Sequence, residues 1–374
     1  MTEQTTRVYR IARPVQGVPG PDDFELTEMT LPPLRPGQVL MRTIYIGIAP
    51  GVRPLMPYAG GRPDVAQGAG AGRLAGADDD VPNPTRMNVG ERMRAGTVPS
   101  DSPLSGGTVG RVVASRHPGF AVGDYIFGGR YWQEHEVVEG AAALRLDPSA
   151  LPIEAELGLL GRSAFTGWIG YRRFCHARPG EAIVVSAASG AVGMMVVQLA
   201  KAQGLRVIGI SGGAEKCAFV TGLGAEACID RNAEDVGAAL DRLCPEGIDI
   251  YFDNVGGAIQ RLAYDRLKPF GRLIVCGMTA AYNTAGEADV GLPSGIILAK
   301  RLRVQGFVVL DHGDDYPAFR AEIADLWRKG ALSFRQHVYE GFTQTPQALA
   351  DCLSGANAGG KLLVRVSPDD SRPG

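Results

Sequence analysis

Between residues 188 and 193 the chain reads Ala-Ser-Gly-Ala-Val-Gly. An apolar run, Ile183–Ser186, precedes it, and a helix-like pattern with Val192, Met195, Val196 and Leu199 on one face follows. The stretch matches G-x-G-x-x-G with Ala in the first place. Such a turn suits anion binding. Gly190 lets backbone approach a pyrophosphate, and Gly193 lets the helix pack closely on the strand. The helix start offers N–H groups and a positive dipole end. A lone pattern of this kind is weak, and a purely structural strand-turn-helix is the plain alternative. The strand before and the helix after it favour a dinucleotide site.

The next strand-like run, Arg206–Ile210, ends in Ser211-Gly212-Gly213 and carries no acid at its tip. An Asp or Glu there would accept the adenosine ribose hydroxyls and repel a 2′-phosphate. Lys216 follows the tip, and Arg231 follows the third strand in "CIDRN". Two cations beside a Gly-Gly turn suit a dianionic phosphate, which Arg grips in a bidentate way. Each cation alone reads as a solvated charge at a strand end. Together with the missing acid they favour NADP(H). Glu215 reads as a first-turn residue of the following helix, where it suits the dipole.

A frame must bring these strand ends together. Strand-like runs at Ile183–Ser186, Arg206–Ile210, Ala225–Ile229, Ile248–Asp253, Arg272–Gly277 and Leu302–Val309 mostly alternate with helix-like ones. The helix-like runs are Ala191–Gln203, one from Glu215, Ala233–Leu243 and one near Gln260–Leu267. This is the α/β pattern of a doubly wound, six-stranded parallel sheet, expected over residues 151–314. Residues 1–150 hold short runs such as "QVLMRTIYIGIA", "GGTVGRVVAS", "DYIFGG" and "EHEVVEG" between Pro and Gly turns. They predict a β-rich, partly closed barrel-like domain. A helix over Tyr316–Lys329 and a last strand in "GGKLLVRV" are expected to return to it, so that 1–150 and 315–374 form one domain. Residues 58–90, rich in Gly, Ala, Asp and Pro without a period, read as a lid-like insertion or a plain surface loop.

Composition narrows the function classes. A chain of 374 residues has room for two domains, and 45% apolar with 21% charged residues is ordinary for a soluble globular protein. A net charge of -2 gives no basic footprint for nucleic acid or membrane surfaces. None of the 6 cysteines forms a CxxC pair, so neither a zinc ribbon nor a compact disulfide framework is expected. Scattered thiols and an N-terminus without an apolar h-region point to the cytoplasm. Ala182 to Ala200 runs without a charge, but its glycine turn and polar residues fit a strand and a buried helix better than a membrane span.

Further segments occur in a telling order: "GGTVGRVVASRHPGFAVGD", "EHEVVEG", "GEAIVVSAASGAVGMMVVQLAKAQGLRVIGISGGAEK", "GIDIYFDNVGG", "GRLIVCGMTAAYN", "RLRVQGFVVLDH" and "SGANAGGKLLVRV". Together they resemble the zinc-independent medium-chain dehydrogenase/reductases. The nearest group is the leukotriene B4 12-hydroxydehydrogenase / prostaglandin reductase and 2-alkenal double-bond reductase family. The resemblance covers nearly the whole chain except about residues 58–90. It implies a Rossmann domain, a GroES-like catalytic domain and a homodimer. Gly190, Ala191, Val192 and Gly193 match the family's pyrophosphate loop, and Lys216 its lysine on the 2′-phosphate. Arg231 stands where the family usually has Tyr, a departure that either strengthens phosphate binding or caps the loop. Asn254 matches a cofactor-contacting Asn. Cys276, Gly277, Met278 and on to Tyr282 match the segment along the nicotinamide half. Phe307, Val308 and Val309 match backbone contacts near the nicotinamide. Asn357 matches a C-terminal Asn closing over the cofactor, with one residue more than the usual spacing in "NAGGK".

The implied chemistry is conjugate reduction of an α,β-unsaturated ketone or aldehyde. NADPH gives a hydride to the β-carbon, and negative charge moves onto the carbonyl oxygen, where a donor lowers the barrier. Tyr282 is the expected donor, acting directly or through the nicotinamide ribose hydroxyl; a packed ring in a loop is the alternative. No metal is expected. A zinc alcohol dehydrogenase needs Cys and His ligands, yet residues 1–150 contain no Cys, and the segment for a Gly-His-Glu motif reads Gly106-Gly107-Thr108-Val109-Gly110. Two departures bear on substrate. Pro50-Gly51-Val52-Arg53 replaces a Pro-Tyr-Met-Arg run, and Arg162-Ser163-Ala164-Phe165-Thr166 replaces Met-Pro-Gly-Leu-Thr. Arg53 and Arg162 are therefore candidate substrate contacts, with a surface salt bridge the slightly favoured reading of Arg162. A quinone or carbonyl reductase on the same fold is the alternative activity. An NADPH-binding regulatory or crystallin-like protein with little catalysis is the alternative of another class.

Overall fold

A computed structural model describes residues 4–59, 104–283 and 291–371. Most of the 58–90 insertion thus lies outside the described residues. Among these residues the strands are β1 (Thr5–Ile11), β2 (Phe24–Thr30), β3 (Gln38–Gly47), β4 (Ser105–Ser115), β5 (Tyr125–Tyr131), β6 (His135–Glu139) and β7 (Leu144–Leu146). They continue with β8 (Ala182–Ser186), β9 (Arg206–Ser211), β10 (Ala227–Asp230), β11 (Ile248–Asp253), β12 (Leu267–Val275), β13 (Arg303–Gly306), β14 (Gln336–Glu340) and β15 (Lys361–Arg365). The helices are α1 (Arg162–Ile169), α2 (Gly193–Ala202), α3 (Ala214–Gly222), α4 (Val236–Leu243), α5 (Gly257–Asp265), α6 (Thr279–Tyr282), α7 (Ser294–Lys300), α8 (Tyr316–Arg328) and α9 (Thr345–Ser354).

The chain divides into two units, one of residues 1–157, 338–354 and 362–374, the other of 158–337 and 355–361. The division differs at its edges from the expected 1–150 with 315–374 and 151–314. Helix α8 belongs to the second unit, because Phe319 and Ile323 are buried there and Phe319 packs on Phe165 and Trp168 of α1, ring centroids 5.2 and 5.9 Å apart. Trp168 Nε1 also donates to Glu322 at 2.8 Å.

In the first unit β1 and β2 form an antiparallel pair, and a seven-stranded sheet runs β14-β15-β3-β4-β5-β7, with β6 also paired to β3. Strand β6 alternates buried and more exposed residues, whereas β3 is buried over most of its length. Among the described residues β14 and β7 do not pair, so the sheet does not close into a full barrel, as the expected partly closed, β-rich domain allows. Its core gathers Ile46, Ile48, Met56, Leu104, Trp132 and Leu349. The turn from β5 to β6 wraps around a buried acid. Glu136, 5% exposed, accepts from Arg130 N at 2.9 Å to both carboxyl oxygens and from Tyr131 N at 3.3 Å. Burial pushes this carboxyl up to about 7, against the lowering effect of the Arg130 and Tyr131 N–H groups and the Gln133 side chain.

The second unit is built on a six-stranded parallel sheet in the order β10-β9-β8-β11-β12-β13, as the alternating runs predict. Strand β8 is buried at every residue, which explains its unbroken Ile-Val-Val composition: helices cover both faces. The third strand starts at Ala227, later than the expected Ala225. The fifth starts at Leu267, earlier than the expected Arg272, with a register shift against β11 between Ile248 and Ile250. The sixth stops at Gly306, where the chain turns toward a 3-10 helix at Val309–Asp315. In sheets of this kind ligands bind beyond the carboxyl ends of the strands, where the order reverses. Here the reversal lies between β8 and β11.

Candidate active site

The strand ends at that reversal are tied together by side chains. Ser186 closes β8 and Asp253 closes β11; both are fully buried. Ser186 Oγ donates to Asp253 Oδ1 at 2.9 Å and accepts from Asn254 N at 2.8 Å. Asp253 also accepts from Tyr251 OH at 2.8 Å, Val255 N at 2.9 Å and Gly256 N at 3.1 Å. A buried carboxylate with this many donors is stable in place. It holds the "DNVGG" turn against the glycine turn. Asn254 turns its amide inward, Nδ2 donating to Ser186 O at 2.8 Å, so its side chain braces the same junction. Sequence reasoning singled out Asn254 and missed Ser186 and Asp253, although both stand at strand ends.

The glycine turn is tight. Gly190 N bonds Ala187 O at 3.0 Å, and Met194 N bonds Gly190 O at 2.9 Å. A Cβ on Gly193 would lie 2.7 Å from Ala188 Cα, so the position requires glycine. Ser189 N donates to Ser211 Oγ at 3.2 Å, which joins this turn to the tip of β9. Helix α2 opens at Gly193 and points its positive end at the turn.

The β9 tip is shaped by an acid that the sequence reading left out. Asp230 Oδ1, at the end of β10, accepts from Gly213 N at 2.7 Å and Asn232 N at 3.0 Å, and these bonds hold its carboxyl below the usual range. Arg231 N bonds Ser211 O at 2.9 Å. The Arg231 guanidinium therefore lies along Gly212, its Nε 3.0 Å from where a Cβ on that glycine would be. A Cβ on Gly355 would meet Arg231 Nη2 at 3.6 Å and Lys216 Nζ at 4.0 Å. The two predicted cations thus converge on one backbone position beside the Gly-Gly turn. Lys216 Nζ donates to Gly355 O at 2.6 Å.

The other predicted residues follow the carboxyl ends of β11, β12 and β13 or lie in the segment 355–361. Cys276 N and Gly277 N bond Asp253 O at 2.8 and 3.1 Å, and Ala280 N bonds Val255 O at 2.9 Å. These bonds seat Met278 and the short helix α6, which ends at the half-buried Tyr282. Burial and the nearby Asp253 push the Cys276 thiol up to about 12, which makes it an inert thiol. Phe307 follows β13 and packs its ring on Phe174 at 5.1 Å; Val308 is exposed and Val309 begins the 3-10 helix. Asn357 Oδ1 accepts from Gly359 N at 2.9 Å, so it caps a turn in the segment 355–361.

The two candidate substrate arginines are placed differently. Arg53 lies in the first unit at 0% exposure, donating to Gly17 O at 3.2 Å and Val15 O at 3.3 Å with its guanidinium 3.9 Å over the Tyr58 ring. It ties the chain turn at 15–17 to the 3-10 helix at Pro50–Leu55 and is not presented to a ligand. Burial lowers its pKa. Arg162 is exposed at the start of α1. Among the described residues no group of three or more His, Cys, Asp or Glu stands close enough to hold a metal ion.

Comparison with known proteins agrees with this layout. Residues 191–325 match the family described as zinc-binding dehydrogenase, and residues 7–68 with 80–146 match that of the N-terminal domain of oxidoreductase. The NADPH-dependent curcumin reductase of Escherichia coli (strain K12) is 32% identical over 374 residues, covering 98% of this chain and 99% of that protein. A 2-alkenal reductase (NADP(+)-dependent) of Nicotiana tabacum is 35% identical over 270 residues, 71% of this chain and 78% of that one. The crystal structure of CurA in complex with NADPH from Vibrio vulnificus superposes with a TM-score of 0.79 at 31% identity, covering 97% of this chain and 100% of the other. With glycine turn, reversal point and converging cations at one rim, the chain belongs to the zinc-independent medium-chain dehydrogenase/reductases, in the alkenal and prostaglandin reductase family of NADP-dependent oxidoreductases.

Proposed function

We propose that this chain is an NADPH-dependent reductase of the C=C bond of α,β-unsaturated ketones and aldehydes. The observation that carries the cofactor half is the convergence of Lys216 and Arg231 on Gly355, with Arg231 lying along Gly212 of the Gly-Gly turn. The ammonium has three N–H donors, so Lys216 keeps the Gly355 carbonyl and still serves a phosphate oxygen. The turn at Gly190–Gly193 receives the pyrophosphate against the start of α2, and Arg231 closes on the 2′-phosphate. The substrate half is supported by a relative whose named substrate, a 2-alkenal, is itself an α,β-unsaturated aldehyde.

NADPH, when bound, supplies the hydride. The chain's own residues do the rest. Asn254, Cys276, Gly277, Met278 and the backbone of Phe307–Val309 line the rim on which the nicotinamide half lies. The Tyr282 hydroxyl donates a hydrogen bond to the substrate carbonyl oxygen, directly or through the ribose hydroxyl. It stabilises the negative charge that develops there as the β-carbon is reduced. Arg162, exposed at the start of α1, remains the candidate contact for an acidic substrate group. The enzyme acts in the cytoplasm as a homodimer. Strand β13 is an edge of the parallel sheet with Val304 exposed beside it, and a second copy pairing across a two-fold axis would cover it.

The test is an NADPH-oxidation screen over enones, enals, quinones and saturated ketones, with the products identified. Saturated carbonyl products from an enal support the reading. Turnover of saturated ketones or quinones alone refutes it.

A further inference from the structure

The segment 355–361, "GANAGGK", lies on the glycine turn of the second unit. Gly360 N donates to Ser189 O at 2.7 Å, and Gly360 forms a parallel bridge with Gly190. What holds the segment there is a residue outside every motif so far. Arg335 Nη1 donates to Ala358 O at 2.9 Å, and Arg335 O accepts from Lys361 N at 2.9 Å. Its guanidinium lies 3.9 Å over the Phe219 ring of α3 and 3.5 Å from Glu215. The backbone beside it is anchored to α2: Gln198 Nε2 donates to Ser333 O at 2.9 Å and Gln198 Oε1 accepts from Ser333 N at 2.7 Å. The Arg335 side chain therefore links the helix that carries Lys216 to the segment laid across the turn, from a backbone stretch that Gln198 ties to the helix behind the pyrophosphate turn. The extra residue in "NAGGK" fits this arrangement. Gly359 and Gly360 both take φ +83, and a Cβ on Gly360 would lie 2.5 Å from Arg335 O.

We propose that Arg335 is a positioning residue for the dinucleotide, fixing residues 355–361 on the Ser189–Gly190 turn so that the turn is set before the cofactor arrives. Its guanidinium is occupied by Ala358 O, Glu215 and Phe219, so it acts through the segment and touches no phosphate. The proposal rests on the cofactor site proposed above, and the two separate experimentally. Loss of Lys216 and Arg231 changes the ratio of NADPH to NADH affinity. Loss of Arg335 weakens both cofactors alike and leaves the ratio unchanged.

The test compares wild type, Arg335→Ala and Gly360→Ala as full-length chains. Readouts are fluorescence titration with NADPH and with NADH, steady-state kinetics on 2-hexenal, and hydrogen exchange of residues 355–361. Arg335→Ala is expected to raise Kd for both cofactors about tenfold, the loss of one charge-assisted hydrogen bond, with kcat at saturating NADPH within about twofold of wild type. Exchange of residues 355–361 speeds up in the free protein. Gly360→Ala displaces the segment from the other side and gives the same pattern, so poor folding of one variant does not remove the test. Wild-type affinity with unchanged exchange in either variant overturns the proposal. So does a change in the NADPH to NADH ratio, which would make Arg335 a direct phosphate contact. Wild type that binds neither cofactor overturns the site itself.

Discussion

Glu136→Gln is expected to stabilise the first unit in neutral and alkaline solution and to do little in acid. The fold holds this carboxyl at about 7 against an ordinary 4.5, with burial as the main cause. A raised carboxyl pKa means that the folded state binds the proton more tightly than the unfolded chain does. Stability from the protonated acid is thus complete below about 4.5 and is lost as pH rises to about 7, after which the loss is constant. At 1.36 kcal/mol per pH unit the loss totals about 3 kcal/mol, an order-of-magnitude figure. Glutamine stays neutral and keeps one oxygen to accept from the Arg130 N–H, so the variant escapes it. The difference between variant and wild type should grow by about 3 kcal/mol from about pH 5 to about pH 8. A two-unit chain does not unfold in one step, so the measurement is local: hydrogen exchange of β3 and β4 amides at several pH values, followed by mass spectrometry. Other carboxylates cancel in the difference. A difference that stays constant with pH, or a variant less stable at pH 8, refutes the reasoning.

Lys216→Ala combined with Arg231→Ala should raise Kd for NADPH at least about tenfold more than Kd for NADH, measured by fluorescence titration. An unchanged ratio removes the phosphate site. Tyr282→Phe should lower kcat by about 100-fold with NADPH affinity kept, the loss of one donor at a developing oxyanion; a variant with wild-type kcat assigns the role elsewhere. Gly193→Ala drives a methyl into the Ala188 backbone and should cost about 1–3 kcal/mol together with cofactor binding, read by thermal shift with and without NADPH. Cys276, its thiol at about 12, should remain unmodified by iodoacetamide at pH 8 when peptides are mapped by mass spectrometry.

The parallel sheet was legible because its strands are short apolar runs at regular spacing. Ile248–Asp253 stands where the pattern placed it, and β8 and β9 differ from expectation by one residue at an end. The strand-end residues Gly190, Gly193 and Lys216 were legible for the same reason: local sequence dictates a turn or a helix start. What was not legible depends on residues far apart in the chain. Asp253 reads as one polar residue in a strand until Ser186 is brought against it. Asp230 escaped notice because the missing acid was sought on β9, while the one that fixes the turn reaches across from β10. Arg53 looked like a substrate contact because it ends the run Pro50-Gly51-Val52-Arg53, which departs from the family's Pro-Tyr-Met-Arg. Its side chain is instead absorbed by two carbonyls and a tyrosine ring. Helix α8 was assigned by its position after the last parallel strand, whereas packing against Phe165 and Trp168 decides its place.

The seven residues 355–361 are a late visitor to the second unit: the chain leaves that unit at 337, builds α9 in the first, returns for 355–361 and departs again into β15. During synthesis the parallel sheet emerges and can form long before Gly360 exists to pair with Gly190. The nascent second unit is therefore a sheet with an unfinished rim, completed only once residues 355–361 follow. A ribosome stalled before residue 361 carries a nearly complete α/β layer with an uncovered Ser189 carbonyl. The glycine turn is therefore completed by residues made well after the sheet that carries it.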